Sequence, residues 1–119
     1  MKTTIYLDTS FLLDILKFKI NLDAELKRIC DFDYELKTYD LIMKELKEKK
    51  QEKLAKAILK KKNIELLKTQ EGFKTLDQAF LDLKNSPVIA TNDQGLKRLL
   101  KSKHIKILTI RQKRYLMLY

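Results

Sequence analysis

The segment 3–13, TTIYLDTSFLL, decides the fold. Its first half is a short run of β-branched and aromatic residues, which is typical of a strand that is buried on both faces. Thr9 and Ser10 are good N-cap residues for the apolar helical pattern that follows. Asp8 therefore lies where the carboxyl end of a strand meets the start of a helix, which is where open α/β sheets place their sites. The alternative is that Asp8 only ends the strand as a turn or capping residue.

Length and composition bound the class of protein. A chain of 119 residues has the size of one domain, and we treat residues 1–119 as a single domain. No apolar run reaches the roughly 20 residues of a membrane span, and the N-terminus lacks the apolar core of a signal peptide. Cys30 is the single cysteine, which excludes an internal disulfide, and its helical spacing from Leu22 and Leu26 predicts a packed thiol. These features predict a reduced, cytoplasmic protein with no membrane partner.

The net charge is +10, and the positive charge is concentrated near the C-terminus. No acidic residue follows Asp93, whereas eight lysines and arginines do. A segment with charges of one sign indicates a polyanionic partner, either nucleic acid or an anionic membrane surface. A solvated, lysine-rich surface is the alternative. We favour nucleic acid.

Strand and helix patterns alternate along the chain. After the opening segment, strand patterns lie at 34–39, 63–67, 88–91 and 105–110, and 115–119 is a candidate edge strand. Helical patterns separate these strands, the first of them over 21–30. This alternation predicts a mostly parallel sheet with helices on both faces, that is, a three-layer α/β/α sandwich.

The composition excludes several kinds of site. Two glycines, Gly72 and Gly95, do not suffice for a phosphate-cradling loop. A single histidine, His104, and a single cysteine argue against a Cys–His nucleophilic site and against structural zinc. A phospho-accepting receiver domain needs adjacent acids at the end of its first strand, where Asp8 has no acidic neighbour. Carboxylates are left to perform any catalysis.

Carboxylates follow the first and fourth predicted strands. Asp8 and Asp93 occupy these strand ends, and they share one edge of the sheet if the two strands are neighbours. Glu45 and Asp77 lie at helix starts near that edge. Converging acids repel one another and raise their own pKa values unless a cation holds them. Mg²⁺ and Mn²⁺ prefer such ligands, and a metal-activated water hydrolyses phosphodiesters.

Simpler interpretations exist for two of these acids. Asp77 could complement a helix dipole, and Glu45 could pair with Lys49 one helical turn later. Three further acids receive no site role, because nothing in the sequence places them at the strand edge: Asp14, Glu48 and Asp82.

Distinctive segments occur along the whole chain: DTSFLLD at the first strand end, the YDLIMKELKE helix, and LDQAFLDL followed by VIATNDQGLKRLL. In this order they resemble the PIN domain family of metal-dependent ribonucleases. The resemblance implies a parallel sheet of order 3-2-1-4-5 and an acidic metal site. The family's four acids match Asp8, Glu45, Asp77 and Asp93, and the polar residues that accompany them match Thr9, Ser10, Thr91 and Asn92.

Two departures from the family pattern concern the site. The segment TYDLIMKE lacks the proline that often precedes the family's glutamate, here matched by Glu45. Gly95 occupies a position where some members have another acid, which implies fewer metal ligands. The C-terminal ILTIRQKRYLMLY is similar to the archaeal and eukaryotic branch linked to ribosomal RNA processing.

We therefore expect a Mg²⁺- or Mn²⁺-dependent endoribonuclease that hydrolyses RNA phosphodiesters. Asp8 and Asp93 are the expected direct metal ligands. Asp77 and Glu45 are expected to complete the cluster, Asp77 as a further ligand, or to orient bound water. Thr91 and Ser10 are the expected hydrogen-bond partners of these acids, and Thr9 and Asn92 are expected as further supporting residues. The expected contacts to the RNA backbone are Lys97, Arg98 and Lys101.

Three alternatives remain open at the level of sequence. The enzyme could mature RNA beside a ribosome-assembly partner, or it could be the toxin of a toxin–antitoxin pair, restrained by a small acidic antitoxin. It could also be a PIN module that binds RNA without cutting it. Pairing of two copies through helices is a further option, against which the exposed, charged stretch 47–53 argues.

Overall fold

The computed structural model describes residues 2–119, and its elements follow the predicted alternation. The strands are β1 (Thr3–Leu7), β2 (Tyr34–Tyr39), β3 (Glu65–Leu67), β4 (Val88–Ala90), β5 (Lys106–Arg111) and β6 (Tyr115–Leu118). The helices are α1 (Thr9–Lys17), α2 (Leu22–Ile29), α3 (Ile42–Leu46), α4 (Glu52–Lys61), α5 (Leu76–Leu81) and α6 (Gln94–Ser102).

The strands form one sheet in the order β3-β2-β1-β4-β5-β6. Strands β1 to β5 pair in parallel, whereas β6 pairs antiparallel with β5. The predicted order 3-2-1-4-5 is therefore confirmed, and the C-terminal strand extends it by a hairpin.

The helices divide between the two faces because the chain changes direction along the sheet. Strands β2 and β3 are added to the sheet on one side of β1, whereas β4 and β5 are added on its other side. Right-handed crossovers then place α1–α4 on one face and α5 and α6 on the other. Phe80 of α5 packs against Tyr6 and Tyr39, with ring centroids 6.0 and 6.1 Å apart. The predicted three-layer arrangement is confirmed, and the direction changes between β1 and β4, where open sheets place their sites.

Local features account for the small differences in element bounds. The predicted strand 63–67 begins two residues late, because Asn63 adopts a left-handed φ of 53° and the Ile64 N–H donates to the Leu59 carbonyl as α4 ends. Residues 47–51 of the charged stretch 47–53 separate α3 from α4, and its last two residues begin α4. Cys30 packs against the core as predicted. Within residues 2–119, no helix combines the length and apolarity that crossing a membrane requires.

Candidate active site

Asp8 lies at the junction of the two central strands. Its backbone N–H donates to the Ala90 carbonyl of β4 (2.9 Å), and its side chain is buried. The carboxylate Oδ2 accepts hydrogen bonds from Thr91 Oγ1 (2.7 Å) and Ser10 Oγ (2.8 Å). Burial raises the pKa of Asp8, and these two hydrogen bonds act in the opposite direction. Ser10 and Thr91 therefore orient the Asp8 carboxylate and partly offset the effect of its burial on the pKa.

Asp93 begins α6 beside Asp8. Its backbone N–H donates to Thr91 Oγ1 (3.1 Å), and its exposed side chain accepts from the Leu96 N–H (3.1 Å) as the N-cap. A side chain at Gly95 would put its Cβ 3.2 Å from Asp93 Oδ1, which is closer than an ordinary contact. The glycine at the position of the additional family acid thus leaves room for the Asp93 carboxylate.

Glu45 of α3 joins the starts of two other helices. Its Oε1 accepts from Thr9 Oγ1 (2.7 Å), and its Oε2 accepts from the Leu76 N–H (2.9 Å). Both carboxylate oxygens therefore have partners, and Glu45 fixes the backbone immediately before Asp77. The side chain of Thr9 consequently supports Glu45, whereas its backbone N–H acts on Asp8 and lowers the pKa of that carboxyl. An ion pair between Glu45 and Lys49 is not among those formed by residues 2–119.

Asp77 faces the other three acids. Its pKa rises to about 6, first because the side chain is partly buried and then because of the negative charges of Asp8, Asp93 and Glu45. The structure thus brings the four acids predicted from the sequence into one electrostatic environment.

The donor atoms of this cluster suit a hard divalent cation, because carboxylate oxygens are the ligands that Mg²⁺ and Mn²⁺ prefer. In the part of the chain that the structure describes, no three acidic, histidine or cysteine side chains are close enough to hold an ion as they stand. Mg²⁺ keeps several of its waters, which can bridge to carboxylates that are set apart. The residues therefore fit a hydrated ion rather than a closed cage.

The acids line an open cleft of about 520 Å³. Lys49 and Lys74 also line it and bring positive charge next to the carboxylates. The sequence analysis gave neither lysine a binding role, because no motif distinguishes them among 26 lysines and arginines. A larger cavity of about 750 Å³ is lined by Thr3, Val88 and Lys106, at the amino-terminal ends of three strands and away from the acids.

Asn92 links the loop that follows β4 to α1 and to β5. Its Nδ2 donates to Asp14 Oδ2 (2.7 Å), and its Oδ1 accepts from Thr109 Oγ1 (2.9 Å) and from the Ile110 N–H (3.1 Å). Asp14, which received no site role from the sequence, therefore reaches this edge of the sheet. Its position in the second turn of α1 gave no such signal, since the contact depends on how α1 crosses the sheet.

The three predicted RNA-binding side chains differ in exposure. Lys97 is only 8% exposed, and its pKa is lowered by burial and by the positive charges of Lys101 and Arg111. Arg98 and Lys101 are exposed, and the Lys101 ammonium lies 5.1 Å from the centre of the Tyr119 ring. Lys97 therefore offers far less surface to a ligand than its two neighbours.

Comparison with known proteins identifies the family. No family model matches the chain. Ribonuclease VapC4 of Methanocaldococcus jannaschii is 33% identical over 120 residues, an alignment that covers 91% of this chain and 90% of the relative. The chain belongs to the PIN domain family of ribonucleases. The solved structure of the PIN domain endonuclease Utp24 matches this PIN domain with a TM-score of 0.82 at 23% identity, over 97% of this chain and 90% of that one, and confirms the fold.

Proposed function

We propose that this PIN domain is a divalent-metal-dependent endoribonuclease that acts in RNA processing. The observation that most supports the proposal is that Asp8, Glu45, Asp77 and Asp93 line one cleft, where burial and the other three carboxylates raise the pKa of Asp77 to about 6. Such a cluster is unfavourable by itself and becomes favourable when a cation neutralises it.

The carboxylates of Asp8, Asp93 and Asp77 would hold Mg²⁺ or Mn²⁺, which when bound supplies a water of lowered pKa for attack on phosphorus. Thr91 and Ser10 hold Asp8 Oδ2 in place through hydrogen bonds of 2.7 and 2.8 Å. Glu45 acts as a positioning residue, because its two oxygens fix Thr9 and the backbone of Leu76.

Positive charge around the carboxylates would hold the RNA. Lys49 and Lys74 line the same cleft as the acids, which supports a role for them in contacting the phosphates beside the cleaved bond. Arg98 and Lys101 extend this charge along the exposed side of α6. The net charge of +10 favours a polyanionic substrate over a small neutral one.

The variant Asp93→Asn tests this function with little risk to the fold, because asparagine caps helices as well as aspartate does. With Mn²⁺ or Mg²⁺, wild-type protein should cleave end-labelled RNA, and EDTA should stop the reaction. The variant should lose at least about 100-fold in rate, since even indirect partners of a metal typically contribute 10- to 100-fold. Equal cleavage by wild type and variant, or cleavage that persists in EDTA, would contradict the proposal.

A second candidate is the toxin ribonuclease of a toxin–antitoxin pair, which is favoured by the similarity to ribonuclease VapC4. The two roles differ in what restrains the enzyme. A toxin should arrest growth when expressed alone, and co-expression of a small acidic protein encoded beside it should restore growth. Expression without growth arrest favours RNA processing in the cytoplasm. The C-terminal hairpin of β5 and β6 also favours this role. Metal-independent RNA binding without any cleavage would instead identify a recognition module.

A further inference from the structure

The hairpin of β5 and β6 extends beyond the edge that bears the acids. Leu7 of β1, Ala90 of β4 and Leu108 of β5 lie side by side, so that β5 runs three residues further, to Arg111. At about 3.3 Å per residue, the tip stands roughly 10 Å above the ends of β1 and β4. Asn92 holds this hairpin beside the acidic loop through its hydrogen bond from the Ile110 N–H.

The tip is a three-residue loop, 112–114, between the paired residues Arg111 and Tyr115, and it contains a β-turn with an unfavourable sequence. The Arg114 N–H donates to the Arg111 carbonyl (3.1 Å), and between them Gln112 and Lys113 have φ of 53° and 57°. Turns with two left-handed residues favour Asn-Gly, because most side chains are strained at positive φ. Lys113 therefore occupies a position where glycine would fit the backbone better. Strain of this kind is a reason to look for a function of the side chain.

The turn is exposed and strongly positive. All four residues of 111–114 are exposed, and three of them are cationic. Lys17 of α1 adds a further charge, because its ammonium and that of Lys113 lie 5.5 and 5.8 Å from the centre of the Phe18 ring. Among residues 2–119, the ion pairs do not include any of these cations. Their charges are thus left to an external anion.

We propose that residues 111–114, here called the basic tip, bind the phosphate backbone of the RNA strand whose cleaved bond lies in the acidic cleft. This inference rests on the proposed ribonuclease function. The tip rises on the β5 side of the cleft, whereas Lys49 and Lys74 line the cleft itself, so that the strand crosses the acids with cations along its path. Repulsion by the four acids makes such contacts necessary, because RNA is itself an anion.

The test compares RNA binding by three proteins in EDTA, as a function of salt. They are the wild type, the tip variant Lys113→Gly/Arg114→Ala, and the control Lys60→Ala/Lys61→Ala. The control also removes two exposed cations, but at the end of α4, before β3 begins at the opposite edge of the sheet. The probe is a fluorescein-labelled single-stranded RNA. Thermal unfolding and Mn²⁺-dependent hydrolysis of bis(p-nitrophenyl) phosphate, a diester too small to reach the tip, are measured in parallel.

The tip variant should bind RNA about tenfold more weakly near 0.1 M salt, and the slope of log K against log salt should fall by about 1.4, the contribution of two contacts to a single strand. The control should bind like wild type. Lys113→Gly alone should weaken RNA binding. It should not lower the melting temperature, because glycine removes the backbone strain at this position.

If the tip variant binds RNA with the affinity and the salt slope of wild type, the inference is overturned. It is also overturned if the control loses as much RNA affinity as the tip variant does. If the tip variant keeps its RNA binding but loses the binding to phosphatidylserine vesicles that wild type shows, the inference is overturned as well. The anion that the tip binds would then be a membrane surface. If wild-type protein binds RNA through the tip but hydrolyses neither RNA nor the small diester, the proposed ribonuclease function fails while the tip stands as an RNA-binding element.

Discussion

Ionisation of Asp77 is costly in the folded protein, first because the side chain is partly buried and then because three acids surround it. Its pKa of about 6 lies well above the ordinary value of an aspartate, so the folded state binds its proton more tightly than the unfolded state does. The resulting stabilisation is present below the unfolded-state pKa and is lost as the pH rises through about 6. At neutral pH in EDTA, the ionised Asp77 therefore destabilises the fold.

Asp77→Asn should accordingly stabilise the metal-free protein, by about 1–2 kcal/mol near pH 7.5 once solvent screening of a partly exposed group is allowed for. Near pH 4 the difference should disappear. Melting temperatures in EDTA at the two pH values measure this effect, with Asp82→Asn, an exposed carboxylate outside the cleft, as the control. A variant that is no more stable than wild type at the higher pH would show that Asp77 does not experience its acidic neighbours.

Sequence reasoning located the acids and missed the lysines of the site, for physical reasons. Asp8 and Asp93 come just after short strands of β-branched, aromatic and other apolar residues, so that their place at the sheet edge follows from local pattern. Lys49 and Lys74 come from irregular, charged segments in which no pattern singles out a residue. Their position in the cleft depends on tertiary packing alone.

Among the elements, the short helices α3 and α5 depend on one side chain for their relative position. Glu45 accepts from the hydroxyl of Thr9 and from the N–H of Leu76, and this arrangement places the first turn of α5 over the cleft. The sequence could place Glu45 on a helix near the acids. It could not show that both of its oxygens are bound by protein groups, since Leu76 is 31 residues away in the chain.

Glu45→Ala should therefore lower the free energy of unfolding by about 1–3 kcal/mol, because it leaves a partly buried N–H and a hydroxyl without a partner. Because Asp77 follows Leu76, the variant should also weaken Mn²⁺ binding without abolishing it. Urea unfolding and Mn²⁺ titration measure the two effects. Glu71→Ala, in the exposed loop before α5, is the matched control. If Glu45→Ala is as stable as that control, the anchoring role assigned to Glu45 is wrong.

At the scale of the whole molecule, the alternation of patterns was sufficient to predict the layers and the sheet. The resemblance to PIN domains supplied the order of the first five strands. The height of the basic tip above the acids was not predictable, because it depends on the register between β4 and β5 and on the length of β5 beyond it. The distribution of charge along the chain indicated a polyanion, and the folded structure shows which cations lie near the acids.

A divalent cation bound by the acids at the carboxyl edge of the sheet is what the proposed ribonuclease function requires first. The most direct measurement is a titration of Mn²⁺ followed by the electron paramagnetic resonance signal of the free ion, for wild type, Asp8→Asn and Asp82→Asn. Asparagine can retain the hydrogen bonds from Thr91 and Ser10, so that the fold should persist and circular dichroism can verify it. Wild type and Asp82→Asn should deplete the signal with the same affinity, and Asp8→Asn should bind at least about tenfold more weakly. Equal binding by wild type and Asp8→Asn would contradict the account.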